Sequence, residues 1–389
     1  MDGSVKDFES KDGYITASFY AFKAIEKTKL EELKKELLSW SKIMAQDDLE
    51  NSSDIERALD NFEYEDRIRS QIRKLTKAKP VDTRAITGRI YIDENGINAQ
   101  VSLLGSKVRL LRALIERSEI LRGTIPPFNF GLSHERAFKR FHVRIRPLVA
   151  AGTTLDLETL KNEPEYLTPQ QWHEQLEEKQ GEKVLIDMRN TYEFKVGKFK
   201  DAECPDVDTF REEMDYVREK YGDKKEKEIY MYCTGGIRCS VAGAILKSEG
   251  FSNVKTLKGG VIAYGKWLKN VSKEKSSESR EIQSLFIGKN FTFDKRLGEP
   301  VTQDIVGRCD QCNEPCDTFT NCANMSCNIL FIQCENCRKK HKGTCGSHFC
   351  MTQVDKPIDL LKKEKNKSVW SYHDRVRPEI LFSKMKLGN

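Results

Sequence analysis

Apolar and polar positions alternate over residues 14–22, the two-residue period of a strand with one buried face. The period then lengthens. Leu30, Leu33, Leu37, Leu38 and Trp40 recur at helical spacing and predict an amphipathic helix over 29–44. Two β-rich runs, 88–92 and 97–103, flank Asp93-Glu94-Asn95-Gly96, whose Asn-Gly pair predicts a tight hairpin. Leu110, Leu111, Leu114 and Ile115 mark a second helix over 108–120, and 138–149 reads as the closing strand. The order βαββαβ is that of a ferredoxin-like α+β domain, here spanning residues 1–150. Residues 45–85 interrupt it with an Asp-, Glu-, Arg- and Lys-rich stretch. Its basic part, 67–79, predicts a helix stopped by Pro80, and the surrounding polarity marks an exposed insertion.

After a polar linker over 151–166 the pattern becomes one of short apolar runs alternating with helical spacings. Thr168-Pro169 caps a helix to 179, and strands follow at 184–187, 229–233 and 254–257. Helices are expected at 208–221, at 240–248, where small residues dominate, and at 261–268 after Gly259-Gly260. This alternation predicts an α/β domain over 167–270, with a mostly parallel sheet covered by helices on both faces. A Ser-, Glu- and Lys-rich linker over 271–285 leads to a cysteine-rich segment, 286–355, and a charged tail, 356–389.

With 389 residues, two or three domains are expected, and 38% hydrophobic residues suffice for their cores. No window approaches a membrane span, and residues 1–10 lack a signal-peptide pattern. The expected address is therefore the cytoplasm, a reducing compartment. Nine of the 12 cysteines fall between Cys309 and Cys350, which in such a compartment points to metal rather than disulfides. The net charge of +6 hides a polarity, because residues 67–146 carry 18 Lys and Arg against six Asp and Glu. That distribution fits a binder of polyanions.

The chemistry concentrates in Cys233-Thr234-Gly235-Gly236-Ile237-Arg238-Cys239. A cysteine at the end of a buried parallel strand, before two glycines and a helix start, stands at the sheet edge where open α/β folds bind ligands. The glycines let backbone N–H groups turn inward and the helix adds its positive end, so a thiolate there is stabilised. Cys233 is the expected nucleophile and Arg238 a fixed cation closing the loop; the bland alternative is a buried strand-end thiol. Cys239 reads as a packed small residue, with a resolving thiol as the alternative.

These residues resemble the rhodanese family, as do Leu185-Ile186-Asp187-Met188-Arg189, Glu193, Gly197-Lys198-Phe199, Leu257-Lys258-Gly259-Gly260-Val261 and Trp267. The resemblance marks Asp187 and Arg189 as supporting residues. Lys198 departs from it, standing where rhodaneses usually have His. The related phosphatases have a loop one residue longer between Cys and Arg, so the loop here favours sulfur chemistry over phosphate ester hydrolysis. A closer similarity is to the bacterial tRNA uridine hydroxylases and their eukaryotic relatives. It is carried by Tyr232 to Cys239, Ser18-Phe19-Tyr20, Gly96-Ile97-Asn98-Ala99-Gln100, Asp187-Met188-Arg189-Asn190, Phe286 to Phe291 and Leu330 to Cys334. This resemblance implies oxygen-dependent conversion of the wobble uridine of tRNA to 5-hydroxyuridine, with tRNA as partner and molecular oxygen as co-substrate. Thiolate attack at C6 of uracil, or a Cys233 persulfide meeting oxygen, would serve such chemistry. The competing activity is a sulfurtransferase moving sulfane sulfur from thiosulfate or a persulfide through Cys233.

In the cysteine-rich segment the expected metal ligands are Cys309, Cys312, Cys316, Cys322, Cys327, Cys334, Cys337, Cys345 and Cys350, with His341 and His348 nearby. Two Cys-x-x-Cys pairs, 309–312 and 334–337, have the spacing of structural zinc, which takes four ligands; redox chemistry among free thiols is the alternative. In the basic region, Arg140, Arg144 and Arg146 share one face of a strand pattern and are the expected RNA contacts, against a merely solvated surface.

Overall fold

The alternation over Tyr14–Phe22 is realised as a strand, β1, with Ile15, Ala17, Phe19 and Ala21 buried and their neighbours half-buried. A computed structural model describes residues 13–45, 85–124, 128–133, 135–149, 155–178, 183–207, 209–274 and 282–354. After β1 come α1 Leu30–Met44, β2 Ile86–Asp93, β3 Gly96–Leu104, α2 Val108–Arg117, β4 Asn129–Ser133 and β5 Phe141–Ile145. Next are α3 Leu157–Leu160, β6 Glu165–Leu167, α4 Pro169–Glu177, β7 Lys183–Asp187, α5 Thr191–Val196 and β8 Gly197–Phe199. Then follow α6 Phe210–Tyr221, β9 Glu228–Tyr232, α7 Ile237–Ser248, β10 Val254–Leu257 and α8 Gly260–Glu274. The last elements are β11 Phe286–Asn290, β12 Glu299–Pro300, β13 Phe319–Asn321, β14 Leu330–Ile332, α9 Glu335–Lys340 and α10 His348–Gln353. Residues 46–84, which hold nearly all of the expected insertion and its basic helix, lie outside the described residues, as does the tail from 355.

The elements form two compact units, one drawn from residues 1–188 and 207–267, the other from 189–206 and 268–389. In the first, β1 to β5 make one sheet in the order β4-β1-β3-β2-β5. Its first four strands are antiparallel neighbours in the ferredoxin-like order, and the β2–β3 hairpin pairs Asp93 with Gly96, as the Asn-Gly signal predicts. The closing strand differs from expectation. It is β4, paired antiparallel with β1, whereas Phe141–Ile145 joins the opposite edge, parallel to β2. β4 is five residues long and contains Gly131, so its own pattern is weak and pairing with β1 fixes it. Leu33, Leu37 and Trp40 of α1 and Leu110 and Leu111 of α2 are buried in the same core as the inward face of the sheet. Truncating Trp40, which is 1% exposed, to Ala is expected to cost about 3–5 kcal/mol.

The second sheet of this unit is wholly parallel, in the order β6-β10-β9-β7. Ile229, Tyr230, Met231 and Tyr232 are all buried, the continuous apolar run of a strand covered on both faces. Thr168 and Gln171 form a reciprocal capping box and Pro169 occupies the first turn of α4. Helix α7 is buried from Cys239 to Leu246, and its small residues permit that: a Cβ on Gly243 would stand 2.6 Å from the Pro164 ring.

Residues 189–206 sit within the expected 167–270 domain in sequence but belong to the second unit. There β8 pairs antiparallel with β11, which pairs with β12. A β13–β14 hairpin carries the cysteine-rich segment. Among the described residues no helix is long and apolar enough to cross a membrane.

Candidate active site

Cys233 follows β9 directly, at the carboxyl end of an interior parallel strand, and is 1% exposed. Three residues later the chain must turn into α7. Gly236 makes that turn at φ +99°, a conformation that costs glycine little, and its N–H donates to Cys233 Sγ at 3.1 Å. Burial pushes the Cys233 thiol up. The Cys239 thiol, the Arg238 charge and the N–H groups of Cys239 and Gly236 more than offset burial, bringing the thiol from 9.0 to about 6. At neutral pH the group is therefore mainly thiolate. Cys239 moves the other way: burial and the adjacent Cys233 sulfur hold its thiol well above the ordinary range, so it stays a donor. Arg238 also donates from Nη2 to Thr234 Oγ1 at 3.3 Å, tying the two ends of the loop.

A second loop holds the first from behind. The carbonyls of Cys233 and Thr234 accept from the N–H groups of Val261 and Ile262, at 3.0 and 3.2 Å, at the start of α8. Gly260 lets the chains approach this closely: at φ +63°, a Cβ would stand 2.6 Å from Thr234 O and against Cys233 O as well. Asp187 ends the neighbouring strand β7, fully buried, and accepts the Tyr232 hydroxyl at 2.6 Å, fixing the end of β9. Arg189 lies in the second unit. There its guanidinium donates to Gly197 O at 2.7 Å and Asn290 Oδ1 at 3.4 Å.

One contact at this site has no local signal in the sequence. The Tyr20 hydroxyl lies 2.9 Å from Ser240 Oγ, across 220 residues, and Ser240 Oγ donates to Gly236 O at 3.2 Å. Phe19, by contrast, is in the core. Arg140, Arg144 and Arg146 are exposed on β5 and its flanks, and the Arg146 guanidinium lies 4.8 Å from the centre of the Tyr91 ring.

In the second unit eight of the nine clustered cysteines gather into two quartets, Cys309, Cys312, Cys334 and Cys337, and Cys322, Cys327, Cys345 and Cys350. Within each, all four sulfurs lie within 4.8 Å of one another, a set that can hold a metal ion. The strand β14 separates them. Ile332 packs with the first quartet and Phe331 with the second, the opposite faces that successive strand residues present. Backbone N–H groups point at the sulfurs: Cys334 N–H to Cys309 Sγ at 3.3 Å, Cys345 N–H to Cys322 Sγ at 3.4 Å. Cys316, expected among the ligands, belongs to neither quartet; nor do His341 and His348.

Three family models match this chain. One described as a rhodanese-like domain covers residues 168–266, one described as rhodanase C-terminal covers 287–351, and a UPF0176 acylphosphatase-like domain covers 62–149. Among curated proteins, a tRNA uridine(34) hydroxylase of Enterobacter is 37% identical over 74% of this chain and 79% of its own length. One from Photorhabdus laumondii is 37% identical, over 70% of this chain and 74% of that one. One from Escherichia coli is 38% identical, over 68% and 73%.

Proposed function

Since the chain belongs to the family of the tRNA uridine(34) hydroxylases, we propose that it hydroxylates the wobble uridine of tRNA to 5-hydroxyuridine, with Cys233 as nucleophile and molecular oxygen as co-substrate. The observation that carries this reading is the Cys233 sulfur at the carboxyl end of β9, with the Gly236 N–H turned onto it at 3.1 Å and Arg238 in the same loop, donors that favour its thiolate. A wobble base lies in a single-stranded loop, where it can leave the stack and enter a protein site. Attack at C6 forms a carbon–sulfur bond and moves the C5–C6 π pair onto the C4 carbonyl oxygen as an enolate. C5 thereby becomes electron-rich, the position that takes one oxygen atom of O2, the other leaving as water with two electrons and two protons from an external two-electron reductant; loss of the C5 proton with expulsion of the thiolate then restores the ring. Arg238 keeps the sulfur anionic before attack and after expulsion. Asp187 acts through Tyr232, holding the strand that presents the cysteine. On the surface, Arg140, Arg144 and Arg146 are the contacts offered to the phosphate backbone.

The two quartets fit zinc. Bonds of about 2.3 Å from a tetrahedral ion place sulfurs about 3.8 Å apart, and Cys312 and Cys334 Sγ are 3.6 Å apart. Four sulfur donors leave no open position, so the ions would cross-link the fold and take no part in the reaction.

The test is mass spectrometry of tRNA nucleosides from cells lacking their own hydroxylase and expressing either this protein or its Cys233→Ala variant. The variant is expected to leave no 5-hydroxyuridine. Undiminished 5-hydroxyuridine, or robust thiosulfate-to-cyanide sulfur transfer by a wild-type protein that forms none, would sink the reading.

A further inference from the structure

Two side chains of the N-terminal sheet reach the two loops that hold Cys233. The Tyr20 hydroxyl, from β1, meets Ser240 Oγ at 2.9 Å, and Ser240 Oγ donates to Gly236 O. A serine hydroxyl carries one hydrogen, so Tyr20 is the donor to Ser240. Gly236 in turn supplies the N–H that meets the Cys233 sulfur, and three hydrogen bonds therefore lead from the N-terminal sheet to the nucleophile. The phenol also packs on the loop itself, since a Cβ on Gly236 would stand 3.2 Å from its oxygen. From β4, the Asn129 amide oxygen is 3.2 Å from where a Cβ of Gly259 would be. Gly259, at φ +73°, opens the segment whose N–H groups hold the carbonyls of Cys233 and Thr234. Asn129 is the register partner of Ser18, so Asn129 and Tyr20 share the sheet face turned away from Ile15, Ala17 and Phe19.

We propose that this face is a wall of the active site, with Tyr20 and Asn129 as positioning residues that fix the 233–236 and 259–260 loops around the nucleophile. The inference rests on Cys233 being that nucleophile, and not on which base it attacks. Burial pushes the Tyr20 phenol well up, so it remains a neutral donor wherever the enzyme works. The charged or titratable groups around the two sulfurs are then Arg238 from the loop's own helix, Asp187 from β7, Tyr166 from β6 and Tyr20 from β1.

The experiment follows iodoacetamide alkylation of Cys233 in the full-length protein against pH, read on the Cys233 peptide by mass spectrometry and without RNA. Tyr20→Phe keeps the ring and removes only the hydroxyl. It is expected to raise the alkylation midpoint by about half a unit and to move the neutral-pH rate by less than about threefold. Asn129→Ala should shift it in the same direction by less. Ser18→Ala, on the same face between them, should leave the midpoint in place. A folded Tyr20→Phe protein whose melting temperature falls while its midpoint stays at the wild-type value would overturn the proposal. Should Tyr20→Phe not fold, Ser240→Ala cuts the same route from the α7 side, and an unmoved midpoint there is equally decisive against it. A wild-type midpoint near the ordinary thiol value would instead refute the nucleophile, a different failure from an unmoved variant.

Discussion

Cysteine stands in two opposite settings in the two units. In the first, one sulfur sits at the end of an interior strand, and the polar groups that lower its titration are an N–H of Gly236, the thiol and N–H of Cys239 and the charge of Arg238. In the second, each of eight sulfurs has three other sulfurs within 4.8 Å. Donors around one thiolate leave its lone pairs able to attack carbon. Four sulfurs facing one another are stable as thiolates only around a cation, and the cation consumes the lone pairs. On the proposed reading, surroundings and not the residue type separate nucleophile from metal ligand.

The strongest way to break this contrast is to remove one sulfur from a quartet. Cys337→Ser is expected to lower metal content from two equivalents per chain to one, read by elemental analysis, and to open the first quartet to proteolysis. Structural zinc contributes about 10–16 kcal/mol to small sites, so the expected effect is the largest of any single change. Two equivalents retained would mean the sulfurs are not ligands.

A smaller effect is expected at Gly260→Ala, where a side chain at φ +63° must collide with the carbonyls of Cys233 and Thr234. Strain of about 1–3 kcal/mol is stored against the loop itself. Activity should fall at least tenfold while metal content stays at two. Equal loss of metal would show that the two units are not independent.

The contrast is sharpened by Arg238→Gln. Without the guanidinium the Cys233 thiol is expected to rise from about 6 by about one unit. In the wild type the folded thiol titrates below its ordinary 9.0, so the thiolate's contribution to stability is full above about 9. It falls as the pH drops toward 6 and is gone below it. In Arg238→Gln the loss should already be complete at a higher pH. Alkylation of the Cys233 peptide across pH measures the titration directly, and an unchanged midpoint would remove Arg238 from the thiolate's support.

Much of this was readable in the chain. The period change between Tyr14–Phe22 and Leu30–Met44 gives the ferredoxin-like start, and the strand, glycines and helix around Cys233 were legible because those signals are local. β4 escaped because five residues including a glycine carry little pattern, and pairing with β1 decides their fate. The partners of the Arg189 guanidinium, Gly197 O and Asn290 Oδ1, the second 101 residues away, are likewise set by tertiary packing. Tyr20 and Ser240 are 220 residues apart, and only the packing of the sheet on α7 joins them.

Spacing alone also made Cys316 a ninth ligand, and it offers the finest test of the comparison. It is 8% exposed, its own N–H bonds Gly307 O at 3.0 Å, and its sulfur accepts from Thr318 N–H at 3.5 Å. It packs among Val196, Phe291, Phe319 and Ile332, beside the first quartet without joining it. A sulfur so placed acts as a small apolar filler. Cys316→Ala removes one atom from that packing and should cost only about 1 kcal/mol in a thermal melt, with metal content still two equivalents. A fall in metal would make Cys316 a ligand and put a fifth sulfur at the first site. The distinction between packed and ligating cysteines would then have to rest on something other than the separation of their sulfurs.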